Sequence, residues 1–339
     1  MRIQDNRIFI FLTWLFLAGT VPLHLYGQDI FAPSTGTKVP SDVEKMYSRG
    51  LKYLAATQSR NGAWGDSFGS QPGVVGLCVV AMLAHGDDPN FGPYASNIRK
   101  GINFLLTSAN QVNGYMGSSM YNHGFATLAL AESYGVVRDE RIGPALRKAV
   151  KLILTSQGNN PYKAWRYSPG SRDADTTVSG ACLVALLAAA NAGINVPDKA
   201  VKDALMYYTR CQSNDGGFGY TSPGGSSLAR SAIGSLVFAL AHEKNSSTYK
   251  RSVQYLNQNG AQAERGSYFY YYLYYGAQAF FHIPDEVSWA SWNTANIRVL
   301  ESLQADDGGW SGSHGRTFST SAALLSLALN YRFLPIYER

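Results

Sequence analysis

The stretch QSNDGGFGY at residues 212–220 returns near the end of the chain as QADDGGWSG at residues 304–312. Both copies place a glutamine, an aspartate and two glycines before a large aromatic residue. Asp and Gly together are typical of tight turns, because Asp hydrogen-bonds the local backbone and Gly adopts positive φ without strain. We therefore interpret the stretch as the turn between two helices of an internal repeat.

An aromatic residue occurs at the equivalent position six times along the chain, and we call each of these residues a mark. These marks are Trp64, Tyr115, Trp165, Phe218, Tyr268 and Trp310. They are separated by 51, 50, 53, 50 and 42 residues. An amphipathic run ending in glutamine precedes most marks, and a run of small and apolar residues follows most of them. Self-similarity at a nearly constant period indicates a repeat architecture.

Each repeat predicts one outer and one inner helix. The first helix carries charges on one face, such as Glu44, Lys45 and Lys52, which is typical of a helix half exposed to water. The second is apolar and rich in Gly, Ala and Ser all round, so we expect it to be buried on every side. The end repeats lack the polar caps that an open solenoid requires. We predict an all-α, single-domain (α/α)6 toroid of six two-helix repeats.

The most aromatic stretch of the chain is GSYFYYYLYYGAQAFF at residues 266–281. By itself it is compatible with a strand or a helix. The repeat places it in the fifth inner helix, at residues 267–282. Three interpretations of its tyrosines are open: a plain core, the lining of an apolar channel that stabilises a cation, or platforms that stack on sugar rings.

The first residues have the pattern of a secretory signal. Arg2 and Arg7 precede an apolar run at residues 8–18, and small residues occur near Gly27. We expect a signal peptide at 1–27, a linker at 28–40 and the toroid at 41–339. The mature protein is then exported to the periplasm or the cell exterior, without a stable membrane span after signal cleavage.

The net charge and the spacing of the cysteines limit which classes of ligand, metal and macromolecular partner we expect. The formal net charge of +6 favours an anionic ligand, but no run of Lys and Arg suits a phosphate backbone, so we expect no nucleic-acid partner. Cys78, Cys182 and Cys211 lack the Cys-x-x-Cys or His-x-x-x-His spacing of zinc sites. We expect no metal and no cofactor.

The glutamine and aromatic pattern resembles the QW-type repeat of squalene–hopene and oxidosqualene cyclases and of protein prenyltransferase β-subunits. The resemblance covers residues 40–337, and the segments YYYLYYGAQ, WASWN, LQADDGGW and NYRFLPIY are similar to exported bacterial prenyltransferase/squalene-oxidase repeat proteins. It implies an α/α toroid of the terpenoid-cyclase superfamily. Function depends on the site rather than on the fold.

One cyclase motif has a partial match. Triterpene cyclases protonate their substrate with the middle aspartate of Asp-x-Asp-Asp-Thr, and residues 173–177 read DADTT. Asp173, Asp175 and Thr177 match, whereas Thr176 replaces an acid. The resemblance implies Asp175 as the catalytic acid with Asp173 beside it, while either aspartate also suits the cap of the third inner helix.

The zinc ligands of protein prenyltransferases have no match. Those enzymes bind zinc through an Asp, a Cys and a His. The corresponding stretches here read SSLARSAIG and RTFSTSAAL. Zinc-dependent prenyl transfer is therefore not implied.

The six inner helices are expected to begin at one rim of the ring, where free N–H groups and helix dipoles attract anions. The candidate ligand-binding residues at this rim are Tyr121, Asn122, Arg230, Tyr270, Tyr271, Tyr274, Tyr275 and Arg316. His123 is a candidate catalytic base or a hydrogen-bonded core histidine. Arg230 and Arg316 either bind an anionic ligand or pair with carboxylates and loop carbonyls.

Three functions remain open on the sequence. The first is binding, and transformation, of an isoprenoid or other apolar ligand in the central cavity. The second is a lyase acting on acidic polysaccharide, with a tyrosine base and with Arg230 and Asn122 neutralising the carboxylate. The third is a non-catalytic toroid that binds a polymer or a protein partner. A glycosidase requires two facing carboxylates, and Asp173 and Asp175 are too close in sequence to flank a sugar.

Overall fold

A computed structural model of the protein describes residues 39–66, 69–260, 266–334 and 336. The expected signal peptide and most of the expected linker lie outside these residues. The outer helices are α1 (Ser41–Thr57), α3 (Ala95–Ser108), α5 (Ile142–Asn159), α7 (Asp198–Cys211), α9 (Ser247–Asn259) and α11 (Glu286–Leu303). The inner helices are α2 (Pro72–Leu83), α4 (Met120–Ser133), α6 (Thr176–Asn191), α8 (Leu228–Leu240), α10 (Phe269–His282) and α12 (Arg316–Leu327).

The inner helices form a closed ring. Each packs against the next, from α2 through α4, α6, α8 and α10 to α12, and α12 packs back against α2. Small residues permit this close approach: a side chain at Gly124 of α4 would meet the backbone of Ala181 on α6. The predicted (α/α)6 toroid and its closure are confirmed. The aromatic stretch forms α10, an inner helix, as predicted.

The repeated glutamine links neighbouring repeats. Its side-chain amide donates to the turn that follows it and to the next outer helix, as Gln212 does to the carbonyls of Gly216 and Thr248, both at 2.9 Å. Gln304 in the last repeat donates in the same way to the carbonyl of Met46 on α1, also at 2.9 Å. The last repeat therefore joins the first through the contact that joins the others.

In three repeats the tryptophan after the turn anchors the preceding outer helix to the ring. The indole N–H donates to a carbonyl of the preceding outer helix. These pairs are Trp64 with Leu54 at 2.8 Å, Trp165 with Ile153 at 2.9 Å and Trp310 with Leu300 at 2.8 Å. The three rings are fully buried, so this bond satisfies the polar group that each ring carries into the core.

At two of the six marks the structure does not bury the aromatic side chain that the sequence pattern predicted. In the second repeat the buried side chain after the turn is Met116, and Tyr115 is half-exposed. Any large apolar side chain fills this place, so matching aromatic types shifted the register by one residue. In the fifth repeat Tyr268 is 65% exposed and precedes α10 directly, so it is not equivalent to the buried marks.

None of the helices in the described ranges combines the length and the apolar character that crossing a membrane requires.

Candidate functional site

The loops after two marks cover the beginnings of two inner helices. The N–H of Met120 donates to the carbonyl of Tyr167 at 2.8 Å, and the N–H of Thr176 donates to the carbonyl of Tyr220 at 2.9 Å. These bonds satisfy N–H groups that a helix start otherwise leaves free. They also hold Tyr167 and Tyr220 over the first turns of α4 and α6.

Asp175 is the N-cap of α6 and is fully buried. Its Oδ1 accepts from the N–H groups of Thr177 and Val178, each at 2.8 Å, and from the Thr177 hydroxyl at 2.5 Å. A short polar side chain at this position stabilises a helix start. Its Oδ2 has no hydrogen-bond partner among the described residues and lies 3.6 Å from Arg166 Nε. One oxygen caps the helix and the other faces Arg166.

Arg166 lies between two aspartates and two phenol rings. Its Nε is 3.5 Å from Asp173 Oδ2 and 3.6 Å from Asp175 Oδ2. Its Cζ is 5.0 Å from the ring centroid of Tyr167 and 5.1 Å from that of Tyr220, within the range of cation–π attraction. The two phenol oxygens are 2.6 Å apart and share a hydrogen bond. We call these five residues the rim cluster.

Burial controls the electrostatics of the rim cluster. It raises the pKa of the Asp175 carboxyl above its ordinary value, although the hydrogen bonds from Thr177 and Val178 and the charge of Arg166 oppose the shift. Burial also raises the pKa of Tyr220, with contributions from the neighbouring Tyr167 and Asp175. The Tyr220 phenol therefore remains protonated at physiological pH.

Sequence reasoning did not single out Arg166, Tyr167 or Tyr220. A signal was present in their position: Arg166 follows the mark Trp165 directly, and the two tyrosines lie two residues after Trp165 and Phe218. The side chains of the buried marks point into the core just below the rim. The one or two residues after each of these marks therefore lie at the rim. Spacing from the mark could have identified all three.

The tyrosines of α10 pack across the axis of the ring against α4, which lies on the opposite side. The ring centroids of Tyr271 and Tyr121 are 6.5 Å apart, and those of Tyr274 and Phe125 are 6.0 Å apart. Tyr275 contacts Tyr271 at 5.1 Å and Tyr274 at 4.6 Å. We call these five residues the axial aromatic cluster. Edge-to-face contacts at these distances are those of a packed core.

His123 and Asn122 bind neighbouring segments of the fold. His123 is fully buried, its Nδ1 accepts from the Met116 N–H at 3.2 Å, and its Nε2 lies 3.1 Å from the Ala149 carbonyl. Nε2 must carry the proton, since a carbonyl only accepts. Burial lowers the pKa of His123 to about 4. Asn122 accepts from the Gly73 N–H at 3.0 Å and so links α4 to α2.

The two candidate arginines also have partners in the structure. Arg230 donates from Nε to the carbonyl of Phe218 at 3.3 Å, in the loop before its own helix. Arg316 forms an ion pair with Asp307 in the turn of the sixth repeat. Tyr270 is buried at the start of α10. Arg316 and Tyr270 lie at the rim outside the rim cluster, whereas the Cζ of Arg230 is 6.0 Å from the ring centroid of Tyr220, at the edge of the cluster.

In the described ranges, no group of three or more His, Cys, Asp or Glu side chains could hold a metal ion. The thiols of Cys78, Cys182 and Cys211 are free and buried.

No sequence-family model matches the chain, and no curated protein sequence matches it. Solved structures do. The type II terpene cyclase MstE from Scytonema, in complex with geranylgeranyl dihydroxybenzoate, has a TM-score of 0.60 at 15% identity, over 86% of this chain and 98% of that one.

Two glycoside hydrolases are also similar. An α-1,6-mannanase, GH76A of Salegentibacter sp. HEL1_6, in complex with α-1,6-mannotetrose, has a TM-score of 0.65 at 11% identity, over 85% of this chain and 98% of that one. A family 76 glycoside hydrolase from a bovine Bacteroides thetaiotaomicron strain has a TM-score of 0.66 at 10% identity, over 86% and 78% of the chains. At these identities the likeness shows the toroid fold alone.

Proposed function

We propose that the toroid binds a neutral, hydroxyl-rich saccharide at the rim cluster. One observation carries the proposal: two neighbouring side chains of opposite character, Asp175 and Arg166, each have a buried polar atom without a hydrogen-bond partner among the described residues. These atoms are Asp175 Oδ2, an acceptor, and Arg166 Nη1, a donor. Unsatisfied buried polar atoms are costly, and a bound ligand can satisfy them.

The chemistry of the cluster matches a sugar. An acceptor beside a donor complements two adjacent hydroxyl groups, each of which both donates and accepts. Tyr167 is 46% exposed, and its ring offers an apolar face for the C–H face of a pyranose. The charge of Arg166 is already balanced by Asp173 and Asp175. The cluster therefore favours a neutral saccharide over an acidic one.

The ligand reaches Asp175 by parting the two tyrosines. Asp175 is fully buried, and the bond between the Tyr167 and Tyr220 hydroxyls connects the two loops above it. Breaking one hydrogen bond is a small cost, since its net contribution is about 1 kcal/mol. The mannotetrose held by the Salegentibacter enzyme supports the proposal to the extent that a toroid of this fold accommodates a sugar chain.

A second candidate is an isoprenoid that Asp175 protonates. The observation in its favour is the asymmetry of the carboxyl, whose Oδ1 accepts three hydrogen bonds while Oδ2 accepts none from the described residues. Such an arrangement stabilises the conjugate base and leaves Oδ2 to carry the proton. However, the Arg166 guanidinium, with Nε 3.6 Å from Oδ2, would repel a carbocation formed there.

Titration calorimetry with α-1,6-mannotetraose and with geranylgeraniol tests both candidates. We expect the tetrasaccharide to bind, and Asp175→Asn and Arg166→Gln to weaken it by about 10- to 100-fold, as for lost hydrogen bonds to charged groups. Asn still caps a helix, so Asp175→Asn should fold. Asp173→Asn is the matched control, since Asp173 also contacts Arg166 but its side chain is 64% exposed.

The outcomes separate the candidates. Binding of geranylgeraniol alone, lost in Asp175→Asn, would replace the saccharide by the isoprenoid. Equal weakening by Asp173→Asn and Asp175→Asn would mean that charge near Arg166 matters and the unpartnered oxygen does not. If neither ligand binds, both candidates are wrong.

A further inference from the structure

A basic groove lies on the outer surface of the toroid, between α3 and the connection from α4 to α5. Its volume is about 360 Å³. Its charged lining consists of Arg60, Arg99, Lys100, Arg138, Arg141 and Asp139. The five basic side chains come from three separate segments of the chain, and all are exposed. The groove is distant in sequence from the rim cluster and independent of the function proposed for it.

We propose that this groove binds the carboxylates of an acidic polysaccharide. Five basic groups and one acid leave a strong positive excess in a concave surface, where field lines concentrate. The acid, Asp139, is already paired with Arg141, with Nη2 to Oδ2 at 2.7 Å. Arginine is suited to carboxylates because its planar fork binds both oxygens.

Several of these guanidinium groups are held in place. Arg141 donates to Asn103 Oδ1 at 3.1 Å, and Arg99 donates to the carbonyl of Asn90 at 3.0 Å. The Cζ of Arg138 lies 4.9 Å from the ring centroid of Phe91. Side chains that are positioned before binding lose less conformational entropy when a ligand arrives.

A second groove lies beside the basic groove. A neighbouring groove of about 280 Å³ shares Arg141 and extends to Lys148 on α5 and to Gln111. A chain of anionic groups can follow both, whereas a single small anion needs only one of its arginines. No aromatic side chain lines either groove in the described ranges, and Phe91 beside Arg138 is a single ring rather than a series on which successive bases stack. This favours a carboxylated polysaccharide over single-stranded nucleic acid.

The test is calorimetric binding of a galacturonate decamer to the full-length protein at low salt. We expect the double variant Arg60→Gln, Arg138→Gln to weaken binding about tenfold, since exposed ion pairs contribute modestly. The matched control is Lys202→Gln, Arg298→Gln, which removes the same net charge from α7 and α11. It should leave the affinity within about twofold, and higher salt should weaken binding of the unmodified protein.

Each result of this experiment either supports or overturns the proposed binding of a polysaccharide in the basic groove. Absence of binding overturns the proposal. Equal weakening in the two double variants also overturns it, because net charge alone would then explain the binding. Competition by a DNA duplex at the same charge concentration replaces polysaccharide by a phosphate polymer. An unchanged affinity in Asp175→Asn shows that the acid chain is bound by the groove and not by the rim cluster, so the two proposals succeed or fail separately.

Discussion

The side-chain amide of Gln304 donates to the carbonyl of Met46 at 2.9 Å, across the junction between the last and first repeats. Gln212 makes the equivalent bond to Thr248 at the same distance in the interior of the repeat series. The junction is reinforced by Arg49 of α1, which donates to the carbonyl of Ala305 at 2.9 Å. The ring is therefore closed by the same glutamine contact that joins neighbouring repeats elsewhere.

Replacing the closing glutamine should destabilise the ring. Gln304→Leu leaves two carbonyls without their donor, which costs about 1–3 kcal/mol of unfolding free energy. Gln212→Leu should cost a similar amount, because the two contacts are equivalent. Urea denaturation measures both, with Gln254→Leu on the exposed side of α9 as the control. A loss in Gln304→Leu no larger than in that control would show that the junction does not depend on this bond.

The axial aromatic cluster should behave as core. Tyr274 is 2% exposed and contacts Tyr275 on its own helix and Phe125 across the axis. Truncation of a buried aromatic side chain costs about 3–5 kcal/mol, so Tyr274→Ala should reduce the unfolding free energy by that amount. Tyr268→Ala, at the 65% exposed position just before the same helix, should cost less than about 1 kcal/mol. A comparably small loss in both variants would instead mark Tyr274 as the wall of an open chamber.

A buried glutamate predicts a pH dependence of stability. Glu132, near the end of α4, is 6% exposed, and burial raises its pKa from 4.5 to about 8. The folded chain therefore holds this proton more tightly than the unfolded chain does. The resulting stabilisation is complete below pH 4.5 and is lost as the pH rises towards about 8.

Urea denaturation across that pH range measures the effect. The unfolding free energy should decline by a few kcal/mol as the pH rises, and Glu132→Gln, which cannot ionise, should flatten the decline. Glu301→Gln on the exposed face of α11 should leave it unchanged. A decline that persists in Glu132→Gln would assign it to other groups.

Much of the fold could be predicted because repeats are local patterns. The period of the marks and the apolar character of the following runs identified inner and outer helices, and α10 was placed correctly although its own composition was ambiguous. The errors concerned single positions. Met116 rather than Tyr115 is buried in the second repeat, since the core selects apolar volume and not aromatic character.

The candidate site was predicted less completely. Asp175 was identified as a cap or an acid; its Oδ1 caps α6 and its Oδ2 faces Arg166, and its role as an acid stays a prediction. His123 was left as a base or a core histidine, and its two ring nitrogens bind backbone groups. Sequence patterns cannot distinguish such alternatives, because a side chain's partners come from elements that lie far apart in the chain.

By itself, the sequence determined the period, the two kinds of helix and the closure of the ring, since these follow from hydrophobic patterns within each repeat. Only the tertiary structure brought Arg166 and Tyr220 from successive repeats around Asp175. It likewise gathered Arg60 and Arg138, which lie in different repeats, into one basic groove. Local propensity places a residue on a helix or a turn, but distances between repeats depend on how the helices pack.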